Sequence, residues 1–207
     1  MTNQQIQILE EYLPEIVVKP VADLIVKYNI HFRISRSRRT KLGDYRPPIN
    51  QPYHKISVNH DLNQYAFLIT FIHEVAHLIV FEKYKTRVSS PHGAEWKREY
   101  RDLMQTFINL KVFPKDVEKE VSRSIINSKA SSTAEIELTR ILRSYDENKK
   151  EGVTHLEDLP EGSTFVIKTG RRFKKGTKRR VRFMCQNIDN QRWYLFHPLT
   201  EVKLLEK

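Results

Sequence analysis

The pattern of apolar positions changes twice within the first 60 residues of the chain. Apolar residues first recur at helical spacing, and Pro14 permits a second helix to start after a short first one. Residues 30–34 and 56–58 then alternate apolar and polar side chains, which predicts two strands that each bury one face. Gly43 and Asp44 lie between these strands and predict a turn.

The longest apolar stretch predicts a helix over about 62–84, with Asn59 or Asp61 as its N-cap. Within this stretch, residues 66–81 include Thr70, two histidines and a glutamate. We therefore expect the segment to be too short and too polar to cross a bilayer, and to form a mostly buried helix.

The pattern weakens after a second amphipathic helix, which is predicted to begin near Gly93. Its apolar stripe is interpreted as core packing and comprises Trp96, Tyr100, Leu103, Met104 and Phe107. Residues 115–150 are polar with some helical periodicity around a serine-rich loop at 127–133, and Gly162 opens a segment that predicts three or four antiparallel strands. The predicted α+β chain thus has a first domain (1–112), a polar helical linker (113–160) and a small β-rich C-terminal module (161–207).

Composition excludes several classes of protein. The one cysteine, Cys185, can form neither an intramolecular disulfide nor a four-cysteine zinc site, and it fits a reducing compartment. Residues 1–10 lack a basic start followed by an apolar run, so we expect no signal peptide. The sequence therefore predicts a cytoplasmic protein without a membrane segment.

The formal net charge of +11 is concentrated in two separate blocks. The first block includes Arg36, Arg38, Arg39 and Lys41. The second block includes Arg171, Arg172, Lys174, Lys175, Lys178, Arg179, Arg180 and Arg182. Clustered lysines and arginines attract polyanions by neutralising phosphates and releasing counterions, so both blocks are candidate nucleic-acid contacts. A solvated basic face and a contact with an acidic protein are the alternatives, and charge alone does not separate DNA from RNA or an anionic membrane surface.

A five-residue motif in the long helix carries the strongest chemical signal. His73, Glu74 and His77 form H-E-x-x-H. Positions four apart share one helix face, so both imidazoles can reach one metal ion while Glu74 holds and deprotonates a water. Such polar groups are costly in an apolar stretch unless they are paired or ligated. The alternative is a pair of core histidines with satisfied hydrogen bonds beside a surface glutamate.

Two histidines bind zinc weakly, so this motif requires a third ligand. Glu82 lies five residues past His77 and therefore faces away from it. His92 precedes the second helix, whose N-terminus can approach the motif, and we favour it over Glu95. The other histidines lack metal-ligand spacing and are interpreted as surface or strand residues: His31, His54, His60, His155 and His197.

The two linked motifs resemble those of the SprT-like family, which includes Spartan-type proteases. That family pairs H-E-x-x-H with a downstream H-G-x-x-aromatic segment, which stand here at residues 73–77 and 92–96. Residues 39–45 and 56–59 also look like its strand region, and the resemblance covers about 15–110. It implies a compact zincin-like α+β domain with an H-E-x-x-H helix and a small antiparallel sheet.

The same resemblance implies the chemistry of the site. The positions that match the family's zinc ligands are His73, His77 and His92, and Glu74 matches its catalytic glutamate. Family members are linked to DNA-dependent cleavage of proteins crosslinked to DNA. The leading hypothesis is therefore a zinc metalloendopeptidase whose substrate is a protein bound or crosslinked to nucleic acid, above all DNA.

The chain departs from the family in its C-terminal part. Many SprT-like proteins carry a zinc ribbon built on cysteines, which one cysteine cannot form. Residues 173–196 predict a metal-free β module instead, whose basic and aromatic residues either bind phosphates and stack on bases or form the module's own core. Two other functions stay open: a nucleic-acid-binding or transcription-associated accessory protein with a structural metal, and a zinc peptidase unrelated to nucleic acid.

Overall fold

The computed structural model describes residues 1–38, 41–49, 51–85, 90–126, 132–146 and 152–205. The chain divides into two compact units, which comprise Met1–Lys129 with Ile141–Tyr145, and Ala130–Arg140 with Asp146–Lys207. The described residues form six α-helices and two sheets, which confirms the predicted α+β class.

Among the described residues, two helices precede three strands, four further helices follow, and strands dominate the last third of the chain. The helices are α1 (Asn3–Glu10), α2 (Glu15–Lys27), α3 (Gln64–Tyr84), α4 (Ala94–Asn109), α5 (Lys115–Ile126) and α6 (Ser132–Ser144). The strands are β1 (Ile30–Ser35), β2 (Gly43–Arg46), β3 (His54–Asn59), β4 (Thr154–His155), β5 (Thr164–Ile167), β6 (Arg172–Arg179), β7 (Arg182–Asn187), β8 (Trp193–Phe196) and β9 (Glu201–Leu204). Of the predicted serine-rich loop, residues 127–131 lie outside the described residues, and Ser132 already begins α6.

The first sheet is mixed rather than antiparallel, which corrects the predicted sheet. Its order is β1-β3-β2, with β1 parallel and β2 antiparallel to β3. Along the chain, β1, β2 and β3 alternate in direction, so β1 and β3 run the same way. Because β3 inserts between β1 and β2 in the sheet, it pairs in parallel with β1. Gly43 and Asp44 were wrongly predicted as a turn, because both pair with β3 as part of β2.

Helix α3 runs through the core of the first unit, and Asn63 caps it. The Asn63 side chain accepts hydrogen bonds from the backbone N–H groups of Tyr65 and Ala66. Both predicted caps were wrong, since Asn59 is the last residue of β3 and Asp61 lies in the turn before the helix. A side chain can cap a helix only from the residue just before its first turn.

Helix α3 lies within the predicted range of 62–84, but the expectation that its apolar stretch is too short and too polar to cross a bilayer was wrong. By length and composition, Gln64–Tyr84 is sufficient to cross a membrane. Most of its apolar stretch is nevertheless buried inside the protein, and Phe67, Leu68 and Phe71 are completely enclosed. This burial is that of a core helix in a soluble protein.

The second unit is built on a six-stranded antiparallel sheet in the order β4-β9-β5-β6-β7-β8, where the sequence predicted three or four strands. The two-residue β4 and the mostly exposed β9 are too short and too polar for their alternation to be visible. One sheet face forms the core, with Leu156 and Leu159 packed on it. Its strand residues are Phe165, Phe173, Cys185 and Val202, joined by the partly buried Phe183, Tyr194 and Phe196.

Candidate metal centre

Three histidine side chains converge at one point beside α3. His73 and His77 are one turn apart on the helix, and His92 comes from the segment that leads into α4. The Nε2 atoms of His77 and His73 are 3.2 Å apart, and the Nε2 atom of His92 is 3.1 Å from each of them. Within the described residues, these three form the cluster of candidate ligands that can hold a metal ion.

The protonation of the cluster suits metal binding. Burial, together with the neighbouring imidazoles of His77 and His92, lowers the pKa of His73 to about 3. Burial also lowers the pKa of His77 to about 4, again with help from His92. Both rings are therefore neutral at physiological pH, and a neutral imidazole is the form that binds a metal ion.

Glu74 is buried beside the histidine cluster, and its side chain packs against strand β2. The backbone N–H of Tyr45 donates a hydrogen bond to the Glu74 carboxylate. A Cβ atom on Gly43 would lie 2.7 Å from Glu74 Cγ, and closer still to Glu74 Oε1. The carboxylate thus occupies space that only a glycine leaves free. Sequence reasoning missed this role of Gly43, because a glycine between two predicted strands more often marks a turn.

The pKa of the Glu74 carboxyl is raised to about 7. Burial is the largest cause, and the negative charge of Asp44 acts in the same direction. The positive charges of Arg38 and Lys41 and the hydrogen bond from Tyr45 act in the opposite direction. A carboxyl group with this pKa can both accept and return a proton near neutral pH.

Trp96 packs against all three histidines, which the interpretation as simple core packing did not anticipate. Its ring centroid lies 4.6 Å from that of His73, 5.4 Å from His77 and 4.7 Å from His92. Tyr100, one turn further along α4, stacks on Trp96 with an interplanar angle of 11°. Helical spacing gave no signal for this contact, because His92 lies in the turn before α4 begins at Ala94.

Polar contacts between α3 and α4 hold the third histidine close to the motif. Glu99 of α4 is buried, and its carboxylate accepts hydrogen bonds from Lys83 Nζ at 2.6 Å and from the Tyr84 hydroxyl at 3.0 Å. Arg98 also donates to the Tyr84 hydroxyl. These bonds link the end of α3 to the first half of α4, whose N-terminus follows His92.

The two acidic residues that were weighed as ligands lie outside the cluster. Glu82 Oε1 is 3.4 Å from His54 Nε2 and 3.6 Å from Lys85 Nζ. Glu95 Oε2 is buried and has no hydrogen-bond partner among the described residues. His54, interpreted as an ordinary strand residue, is buried in β3 and also contacts the Tyr45 hydroxyl at 3.1 Å through Nδ1.

The first basic block has mixed environments. Arg36 is exposed. Arg38 faces the sheet, where its guanidinium donates to Asn59 Oδ1 at 2.8 Å and to Ser57 Oγ at 3.1 Å. Lys41 is paired with Asp44 at 2.7 Å, and Arg39 lies outside the described residues.

The second block is mostly exposed on β6, β7 and the turn between them. Its exposed side chains include Lys174, Lys178, Arg179, Arg180 and Arg182, although Lys178 lies over the ring of Phe183 and Arg179 contacts the sulfur of Met184. Arg172 pairs with Asp189 at 2.6 Å, and Arg171 lies over the ring of Tyr194. Lys175 is buried, and its Nζ donates to the carbonyl oxygens of Glu157 and Leu159.

A model of the SprT-like family matches residues 18–122, which is just over half of the chain. The matched segment contains β1 to β3, α3 and α4, and with them the three histidines and Glu74. No curated protein and no solved structure matches the chain. The match covers the whole candidate metal centre, and the chain therefore belongs to the SprT-like family.

Proposed function

We propose that the protein is a cytoplasmic, zinc-dependent metalloprotease with a zincin-like first unit, which acts on proteins bound or crosslinked to nucleic acid. The observation that carries this proposal is the convergence of three histidine nitrogens beside a buried glutamate. Membership of the SprT-like family supports a protease-type function.

The histidine cluster fits zinc in distance and in chemistry. Zinc bound tetrahedrally by nitrogens at about 2.0–2.1 Å places its ligand atoms roughly 3.3 Å apart. The three Nε2 atoms are separated by 3.1–3.2 Å, and their imidazoles are of the type that zinc prefers. When bound by His73, His77 and His92, Zn²⁺ supplies a Lewis acid that polarises a carbonyl oxygen and acidifies water.

Glu74 supplies the proton transfer that peptide hydrolysis requires. Its carboxylate accepts a proton from the attacking water and returns this proton to the nitrogen of the leaving amine. Gly43 and the backbone N–H of Tyr45 fix the position of the carboxylate for both transfers.

Strand β2 offers a surface for an extended peptide next to Glu74. It is an edge strand of the first sheet, as far as the described residues show. An extended peptide can pair with an exposed strand edge through main-chain hydrogen bonds. A polypeptide bound there would lie beside the carboxylate that moves the proton.

Nucleic acid is the proposed second partner. Exposed basic side chains on β6 and β7, together with Arg36 in the first unit, can neutralise phosphates. Arg38, Lys41 and Lys175 already have internal partners, which makes them weaker candidates for this role.

A Glu74→Gln variant tests the proposed chemistry. The amide keeps the size of the side chain but cannot take up a proton, so we expect zinc content close to one ion per chain and a loss of cleavage of about 100-fold or more. The assay follows cleavage of a protein crosslinked to a DNA strand, with metal content measured by mass spectrometry. Glu82→Gln is the matched control on the same helix and should cleave like the wild type.

Equal cleavage by the wild type and Glu74→Gln would contradict the proposed role of Glu74. Zinc and nucleic-acid binding without any cleavage by the wild type would instead favour an accessory protein with a structural metal.

A further inference from the structure

The sheet of the second unit has one face in the core and one face in solvent. Since side chains alternate along each strand, the neighbours of the core residues Phe173, Cys185 and Tyr194 point outward. The strand register then aligns two outward rows across β6, β7 and β8. The first row is Lys174, Gln186 and Trp193, and the next is Met184 and Leu195.

This outward face carries large apolar side chains that the core does not use. Trp193 is 56% exposed and Leu195 is 54% exposed. A Cβ atom on Gly176 would lie 3.3 Å from Trp193 Cζ3, so the indole packs over the bare backbone of this glycine. The exposed part of this indole offers a ring surface to a planar ligand.

Positive charge borders the same apolar surface. Lys174 is exposed in the row of Trp193. The guanidinium of Arg179 extends to 3.6 Å from the Met184 sulfur, which places its charge beside the second row. A ligand of this face must therefore combine negative charge with flat apolar groups.

We infer that this face binds single-stranded nucleic acid, with a base stacked on Trp193 and phosphates beside Lys174 and Arg179. A single strand exposes both its bases and its phosphates, whereas the bases of a duplex are stacked on one another and cannot cover an indole. Phosphate contacts alone would need neither Trp193 nor Leu195. This inference rests on the proposed function and makes it more specific. It names single-stranded nucleic acid as the form that recruits the protein to its substrate.

The test measures binding rather than cleavage. A fluorescently labelled DNA strand of about 16 nucleotides is titrated with the full-length protein, and anisotropy gives the dissociation constant. Trp193→Ala should weaken binding about tenfold, while Trp193→Phe retains most of the affinity, because a phenyl ring still stacks. Leu204→Ala is the matched control, since Leu204 is 51% exposed on β9 outside the two rows.

A second pair of variants tests the contribution of positive charge to strand binding. Lys174→Glu should weaken binding more than Lys168→Glu, although both reverse one exposed lysine of the same unit. Equal losses would mean diffuse attraction and would overturn the placement of phosphates on this face. An RNA strand of the same sequence forms a parallel arm, and the tighter of the two strands identifies the natural source.

Three results would overturn the inference. The first is that Trp193→Ala and Leu204→Ala bind the strand with equal affinity. The second is that the protein binds a duplex more tightly than the single strand. The third is that an acidic peptide of the same charge displaces the strand. Thermal unfolding shows that each variant is folded. Because Glu74→Gln should bind the strand like the wild type, loss of cleavage and loss of binding are separate outcomes.

Discussion

At the scale of single residues, the position of the Glu74 carboxylate depends on the lack of a Cβ atom at Gly43. Gly43 leaves room for the carboxylate, and a methyl group in its place would also lie 2.8 Å from Thr70 Cγ2. Close packing gives a buried side chain no alternative space, so the carboxylate would have to move.

We expect Gly43→Ala to lower the rate of proteolysis at least tenfold while the protein still binds zinc. A displaced carboxylate loses its alignment for proton transfer, whereas the three histidine nitrogens are untouched. The rate is measured on the crosslinked substrate, with metal content as the parallel readout. Gly162→Ala is the control: its φ of +85° makes alanine costly there, yet nothing lies within 4 Å of the added atom. It should lower stability by about 1 kcal/mol and leave activity unchanged.

Neighbouring lysines in the second basic block have opposite roles. Lys175 is buried and donates to two backbone carbonyls, and burial lowers its pKa. Lys174 is exposed on the other face of the same strand. A run of basic residues therefore contains a structural lysine that the sequence alone presents as a ligand contact.

Lys175→Met should lower the free energy of unfolding by about 2 kcal/mol, because the carbonyls of Glu157 and Leu159 lose a charged donor. Lys174→Met should change it by about 0.5 kcal/mol or less. Urea unfolding followed by circular dichroism distinguishes the two. Similar stabilities of both variants would show that the Lys175 bonds contribute little.

At the scale of elements, helix α3 has a capped N-terminus and runs through the core of the first unit. Asn63 caps its first turn, and the amide nitrogen of the same residue donates to the carbonyl of Leu142 at 2.7 Å. The Asn63 side chain thus sets where α3 begins and ties this helix to a later segment of the first unit.

Substitutions at Asn63 should separate these two contacts. Asn63→Ala is expected to cost about 2 kcal/mol, since it removes the cap and the bond to Leu142, whereas Asn63→Asp keeps the cap and should cost about half as much. Gln64→Ala, at the exposed next position, should be nearly neutral. Thermal unfolding monitors all three, and equal effects of Ala and Asp at position 63 would assign no energy to the cap.

At the scale of the whole molecule, metal binding and the basic sheet belong to different units. The candidate metal centre lies in the first unit, and β5 to β9 lie in the second. A ligand stabilises the part of a protein whose folded state binds it.

We therefore expect zinc to slow amide hydrogen exchange in α3 and α4 and to leave β6 and β7 unchanged. At a free zinc concentration of about 100 times the dissociation constant, the stabilisation is about 2.7 kcal/mol. Exchange is measured by mass spectrometry of peptides, with and without a chelator. His92→Ala should lose this protection, and protection that persists in the variant would remove His92 from the ligand set.

Local patterns allowed several features of this protein to be predicted from its sequence. Strict alternation at Ile30, Phe32 and Ile34 predicted β1, and the run of apolar residues around His73 predicted α3. These signals are local because a strand or helix repeats its exposed and buried positions along the chain. The H-E-x-x-H spacing is local in the same sense, since the geometry of one helix brings His73 and His77 to one face.

Contacts between distant segments were the features that the sequence did not predict. The parallel pairing of β1 with β3, the packing of Gly43 under Glu74 and the contacts of Trp96 with His73 and His77 each join residues far apart in the chain. No repeating pattern encodes such a pairing, because it depends on which surfaces meet after the elements form.

The sequence by itself determined the class of the fold, the helix that carries two of the candidate metal ligands and the location of the charge, because composition and periodicity are properties of the chain. The tertiary structure alone decided that Glu74 is buried against β2, that Lys175 is internal and that Trp193 is exposed near basic residues. Burial is a property of packed surfaces, and it separates residues of identical type into structural and functional roles.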